Sequence, residues 1–367
     1  MIDFSKFTVG NGALSDLREL LFLTLYQNPV IDTLVTTKTG VKTGDKLDFV
    51  SDLGDVGLHA SGCNPTYSNI NISGIEKEWT LGPWQIANHI CYTELENTLG
   101  EIALNGGTDI TYLEDTPYWD LLMKLLQQAI IEMFWRIIFF GDTTAKNIAD
   151  GGILTAGVNK MLFTMCDGLW KRFTSIVASN SKQQTVVTAN VATEKVAGEG
   201  NTTVDKVTYN AQKTAIRQEG YAIKLIDTLL SDADSRIFDL PEPSIYMTSS
   251  LFKALRSDVV AHYTKATMPW EQVAAGVHVS EYDGVRIVVL DIWDRLIKKF
   301  EDTGTALNNP HRAVVCSPKN LFVGTDDKER VATLRVSFNE ETQYNNIFST
   351  AKIDTLVGED ALIQVAI

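Results

Sequence analysis

The sequence predicts an α+β fold, and three observations carry that expectation. Short apolar strands alternate with helical periodicity between residues 166 and 330, which implies a sheet with helices on its faces. A dense apolar run over residues 116–140 reads as one long helix. Residues 36–80 are rich in Gly, Asp and Thr, with too few apolar side chains to build a core of their own.

Taken in chain order, residues 14–27 carry Leu17, Leu20, Leu21 and Leu25 at helical spacing, with Asp16 and Glu19 as a cap, and Asn28-Pro29 ends the helix. It reads either as a helix of the chain's own core or as an arm that docks on a neighbour. The 36–80 stretch places Val41, Leu47 and Phe49 on one side of a bend-rich middle, and Ile70 and Ile72 on the other. This pattern fits a long two-stranded excursion. Such a hairpin is marginal in water unless something covers it, so it reads as an arm across a neighbour or as a surface loop. Trp79, Pro83 and Trp84 close it, and a short helix is expected over 94–105.

The 116–140 run starts with Thr116-Pro117, a cap followed by proline at the first helical position, and stops at Gly141. At 1.5 Å per residue it makes a rod of roughly 36 Å. Asp120, Lys124, Glu132 and Arg136 share one face as two acid-before-base pairs. These charges, with Gln127 and Gln128, argue against a membrane span and for a buried spine with one wet edge.

Further on, a loop is expected at 141–158, a helix at 167–178, a surface loop or edge hairpin at 179–204, and one long helix at 205–234. Pro241 and Pro243 introduce a buried strand, Ser244–Thr248, and a helix, Ser249–Tyr263. Val285–Leu290 and Ala313–Cys316 are continuous apolar runs, as strands covered on both faces require. Val331–Phe338 alternates, and 344–367 adds closing strands.

The chain has 367 residues, with 32 Lys and Arg against 46 Asp and Glu, a net charge of −14. That balance repels phosphate and argues against direct reading of DNA or RNA. It leaves open a container for nucleic acid, whose wall should hold few phosphates tightly. The four cysteines, Cys63, Cys91, Cys166 and Cys316, form no CxxC pair, and no signal peptide is evident, so synthesis in a reducing cytoplasm is expected.

No GxGxxG, Walker A, GxSxG or HExxH motif occurs. His59 with Cys63, and His89 with Cys91, miss the spacing of a zinc finger. The acidic clusters Asp52/Asp55, Asp232/Asp234 and Asp326/Asp327/Glu329 lack EF-hand spacing. The sequence therefore offers no catalytic, cofactor-binding or metal-ligating residue.

The order of features carries a resemblance. The segments NPVIDTLVTTKTGVKTGDKLDF (28–49), AIIEMFWRIIFFGDTTAKNIADGGIL (129–154), SIYMTSSLFKALRSDV (244–259) and AKIDTLVGEDALIQVAI (351–367) resemble, in turn, four parts of the major capsid proteins of tailed bacteriophages, which share the Hong Kong 97-type fold. These parts are the entry to the extended loop, the end of the spine helix, the strand–helix of the axial domain and the closing strands. The resemblance implies an N-terminal arm (1–35), an extended loop (36–80), a peripheral domain (81–165 and 331–367) and an axial domain (166–330). It also implies self-assembly into hexamers and pentamers of an icosahedral head that encloses double-stranded DNA without sequence-specific binding. Portal, scaffolding or decoration proteins would be partners, there would be no membrane contact or cofactor, and assembly would take place in the host bacterial cytoplasm before the protein resides in the virion. Lys38, Lys42, Lys46, Asp52, Asp55, Trp79 and Trp84 are the candidate intersubunit contacts. An encapsulin-like nanocompartment shell is the nearest alternative. An acidic α/β enzyme is the alternative of another class, and it predicts a concave pocket with perturbed titratable groups.

Overall fold

A computed structural model describes residues 29–52, 73–90, 117–198, 202–263, 268–274, 276–326, 335–339 and 344–367. The helices expected at 14–27 and 94–105 lie outside these residues, as does Asp55. The described helices are α1 (Pro29–Leu34), α2 (Pro117–Phe140), α3 (Leu169–Ser179), α4 (Tyr209–Ala215), α5 (Tyr221–Asp232), α6 (Arg236–Asp239), α7 (Ser249–His262) and α8 (Asp291–Phe300).

Two sheets organise them. One joins β1 (Thr36–Thr39), β13 (Leu321–Thr325), β15 (Tyr344–Val357) and β14 (Arg335–Asn339) in that order, with β4 (Gly82–Ile90) also pairing with β15. The other has seven strands in the order β5 (Gln184–Thr185), β16 (Gln364–Ala366), β12 (Ala313–Cys316), β8 (Ser244–Met247), β11 (Val285–Leu290), β10 (Val277–Tyr282) and β9 (Glu271–Ala274). Two separate hairpins pair β2 (Lys46–Asp52) with β3 (Ser73–Glu78), and β6 (Thr193–Ala197) with β7 (Thr203–Val207).

The seven-stranded sheet shows why its central strands are apolar throughout. Successive side chains point to opposite faces, and here both faces are covered. Ile245, Met247, Ile287, Val289, Ala313 and Val315 join one core with Ile226 and Leu229 of α5 and Leu251, Phe252 and Leu255 of α7. Tyr246, Val288, Leu290, Val314 and Cys316 join the other core, with α2, α3 and α8.

The spine α2 belongs to that second core. Phe134 meets Trp84 of β4 edge-on at 5.5 Å, and Phe139 packs 5.2 Å from Trp293 of α8. One helix thus spans from the five-stranded sheet to the underside of the seven-stranded one. It ends at Gly141 because the 166–168 backbone crosses there. A Cβ on Gly141 would lie 2.5 Å from the Cys166 carbonyl oxygen.

Several expectations change. The helix over 205–234 is a strand, β7, followed by two helices. The chain turns at Gly220, whose φ of 74° is left-handed and costs an L side chain steric strain. The Glu132–Arg136 pair on the spine gives way to longer-range contacts. Glu132 accepts from Lys299 of α8 at 2.5 Å, while Arg136 donates to the Leu162 carbonyl at 3.1 Å and lies over the Phe163 and Phe300 rings. Residues 331–367 divide between the sheets: β14 and β15 lie in the five-stranded sheet, and β16 lies inside the seven-stranded one. Among the described residues no helix is long and apolar enough to cross a membrane.

Candidate functional site

The β2–β3 hairpin has a distinctive relation to the rest of the chain. On β2, Leu47 and Phe49 are half-buried while Lys46 and Asp48 are exposed; on β3, Ile75 and Lys77 are half-buried while Gly74, Glu76 and Glu78 are exposed. The period of two gives the arm one face that leans on the body and one that faces outward.

Its base is built around Trp79, Phe49 and Lys77. Trp79, just after β3, is 2% exposed and packs with Phe322 and Leu356. Gly324 on β13 is its seat, because a Cβ there would lie 2.4 Å from the indole ring. The Trp79 amide donates to the Asp45 carbonyl at 3.0 Å, and the Trp79 carbonyl accepts from Gly44 at 3.0 Å. Phe49 sits 5.5 Å from the Phe322 ring, and Lys77 donates to both carboxylate oxygens of Asp360 at 2.8 and 2.9 Å.

Beneath the base lies a buried charge. Asp354 of β15 is 1% exposed; it accepts from the Thr80 amide at 2.8 Å and from Arg172 of α3 at 2.9 Å. Burial pushes its carboxyl above the ordinary aspartate value, against the opposing pull of Arg172 and the Thr80 and Thr355 amides. Beside it, Lys171 bridges Asp167 at 2.8 Å and Asp142. Burial raises Asp167, but the Lys171 hydrogen bond and the Thr143 amide and hydroxyl outweigh it and hold the carboxyl low.

The sequence candidates fall into three groups. Lys38 and Lys42 are exposed on and beside β1, with no ion pair among the described residues. Lys46 is exposed and pairs across the hairpin with Glu76 at 2.5 Å. Asp52 ends β2 opposite Ser73. Trp79 and Trp84, at 2% and 1% exposed, pack among residues of their own chain. Their work is to fix the arm and the spine to the five-stranded sheet. The anchors that sequence reasoning missed are Gly324, Asp354 and Arg172, which come from strands and a helix far apart in the chain. A buried Asp in the run Ile353-Asp354-Thr355 was the one available signal.

A concave pocket with perturbed groups, as the enzyme alternative requires, is also present between α4, α7 and α8. In it His311 Nδ1 lies 3.0 Å from Ser250 Oγ. The pair lacks the parts of a nucleophile site. His311 Nε2 has no partner among the described residues, and burial lowers the imidazole pKa to about 4. The first amides of α7, at Ser249 and Ser250, are taken by the Asp294 carboxylate at 2.6 and 3.2 Å. Among the described residues no group of three or more His, Cys, Asp or Glu is placed to hold a metal ion.

No known family model matches the sequence, and no curated protein does. Solved structures similar to it include chains from phages and capsids. The satellite phage P4 procapsid including the size determination (Sid) protein is 10% identical, with a TM-score of 0.46 over 92% of this chain and 93% of that one. A chain from Mycobacterium phage Ogopogo is 10% identical, with a TM-score of 0.48 over 92% and 91%. The capsid of a native GTA particle is 11% identical, with a TM-score of 0.44 over 92% and 88%.

Proposed function

We propose that this chain is a major capsid protein: a structural subunit that assembles with copies of itself into the icosahedral head of a tailed bacteriophage around double-stranded DNA. The observation that carries the reading is the β2–β3 arm. It is anchored at its base by Trp79, Phe49 and Lys77, yet Lys46, Asp48, Glu76 and Glu78 on its outer face stay open to solvent. A two-stranded ribbon with one free face is marginal alone, and a neighbouring copy would cover it.

The finer features follow the Hong Kong 97-type plan. We take residues 36–80 as the extended loop, rooted through β1 in the five-stranded sheet, and the rest of that sheet with α2 as the centre of the peripheral domain. The seven-stranded sheet with α5 and α7 then forms the axial domain, near the axes of hexamers and pentamers. Lys38 and Lys42 would pair with acidic groups of a neighbour. The role is structural rather than catalytic, and the protein would be built in the host cytoplasm and reside in the virion, with portal, scaffolding or decoration proteins as partners.

Expression of the chain alone, followed by negative-stain electron microscopy and light scattering, tests the reading. Closed shells, tubes or capsomer rings are expected. A compact monomer across salt and concentration, also when a scaffold is co-expressed, would refute it. Packaged DNA or packaged protein cargo then separates a phage head from an encapsulin-like shell.

A further inference from the structure

The cleft between α4, α7, α8 and the 305–311 loop holds about 770 Å³, within the 300–1,000 Å³ typical of small-ligand sites. Its charge contrasts with the rest of this acidic chain. Five cationic side chains line it: Lys213 and Arg217 from α4 and the residues just after it, Lys253 from α7, and Arg295 and Lys298 from α8. All are exposed, and none forms an ion pair or side-chain hydrogen bond with another described residue; Lys253 lies 5.9 Å from the Trp270 ring.

The two carboxylates in the lining are outnumbered by the five cations, and Asp291 keeps one oxygen, Oδ1, without a partner among the described residues. Asp291 pairs with His278 at 3.1 Å, and Asp294 caps α7. Five cations against two carboxylates leave the lining with a net positive charge, so the cluster favours an anion that brings several negative charges at once. The floor is apolar, with Ile216, Ile297, Leu307 and Pro310. Two lining residues, Ser249 and His311, are 4% and 5% exposed and carry polar atoms, Oγ and Nε2, that lack a partner among the described residues. Buried polar atoms are ordinarily partnered, and these two leave donor and acceptor capacity beside an apolar floor under a cationic rim.

We propose that this cleft is a binding site for a phosphorylated organic anion of nucleotide size, with the phosphates held by Lys213, Arg217, Lys253, Arg295 and Lys298 and a ring system on the apolar floor. The inference is independent of shell assembly. It uses groups that neither the arm nor the sheets employ.

Isothermal titration of the full chain with ATP and with tripolyphosphate tests it, on both assembled and dissociated protein. Saturable binding of one ATP per chain is expected, weakening as salt rises from 50 to 300 mM, on the order of what loss of several phosphate contacts gives. Tripolyphosphate, which lacks the ring, should bind at least about tenfold more weakly, the effect of 1.4 kcal/mol. The K253E/R295E double variant should weaken ATP by more than about tenfold, and the milder Lys298→Gln by several-fold, with circular dichroism unchanged; Lys160→Glu, exposed and outside the cleft lining, should leave binding intact. Absence of saturable ATP binding in both forms of the protein would overturn the proposal. So would tripolyphosphate binding as tightly as ATP, or undiminished binding by folded K253E/R295E and Lys298→Gln.

Discussion

Replacing Trp79 with alanine should release the arm without unfolding the protein. A buried tryptophan removes about 150–250 Å² from water, and at about 25 cal/mol per Å² this is worth about 4–6 kcal/mol. Because the area reference is an extended chain, that range is an upper bound, and tryptophan-to-alanine changes in cores cost about 3–5 kcal/mol. The arm's other apolar anchors are the half-buried Val41, Leu47 and Phe49, so the loss exceeds what they can supply and falls on the hairpin. Hydrogen exchange followed by mass spectrometry reads this directly. Amides of 46–52 and 73–78 should exchange at least about 100-fold faster, since each 1.4 kcal/mol is a factor of ten. Amides of β8 and α7 should keep their protection, because they belong to a different core. Gly324→Ala, which puts a Cβ 2.4 Å from the same ring, should reproduce the pattern. Unchanged exchange in the arm, or uniform loosening of the whole chain, would refute the assignment of Trp79 as the arm's anchor.

Other expectations follow from the same contacts. Arg312 and Glu301 form an ion pair at 3% and 4% exposure, and Arg312 also lies 5.3 Å from the Trp170 ring, so Arg312→Leu leaves a buried carboxylate and should cost about 3–5 kcal/mol in urea unfolding, whereas removing both charges together should recover much of it. Burial holds the His311 imidazole at about 4, below its unfolded 6.5, so its contribution is fully present above pH 6.5 and lost as pH falls through 4; about 3 kcal/mol should disappear between pH 7 and pH 4, and His311→Gln should flatten that slope. Lys38→Glu with Lys42→Glu should leave the melting temperature within a few degrees, both side chains being exposed and without ion pairs, while lowering the yield of assembled particles measured by light scattering.

What the sequence made legible depended on how local the governing physics was. The spine helix announces both ends, with Pro117 at its first turn and Gly141 at its stop. The strands Val285–Leu290 and Ala313–Cys316 declare themselves by apolar runs, since both faces are covered. Helix α8 escaped notice despite Ile292, Trp293, Leu296, Ile297 and Phe300 at helical spacing, because it follows β11 without an intervening loop residue. Strands β9 and β10 carry mixed polar residues at one end of the sheet, where half of each surface meets water and alternation is weak. The burial of the tryptophans beside the arm was illegible for another reason. A large aromatic next to a coreless loop fits an interface or an anchor equally well, and only the tertiary position of Gly324 and Phe134 decides between them.

Residues 344–367 complete both sheets at once. β15 supplies the strand on which β4, β13 and β14 pair, and β16 fits between β5 and β12, with the Ile367 amide donating to Thr185 and the Val187 amide donating to the Ile367 carbonyl. A ribosome adds roughly 5–20 residues per second, so for the whole of synthesis before this stretch emerges, neither sheet can close. Their partner strands lie far upstream, and contacts of such sequence separation form slowly. A chain that still lacks β15 and β16 therefore presents open strand edges and neither finished sheet. With β15 and β16 in place, both sheets are complete, and the β2–β3 arm has the body on which Trp79 and Phe49 seat it.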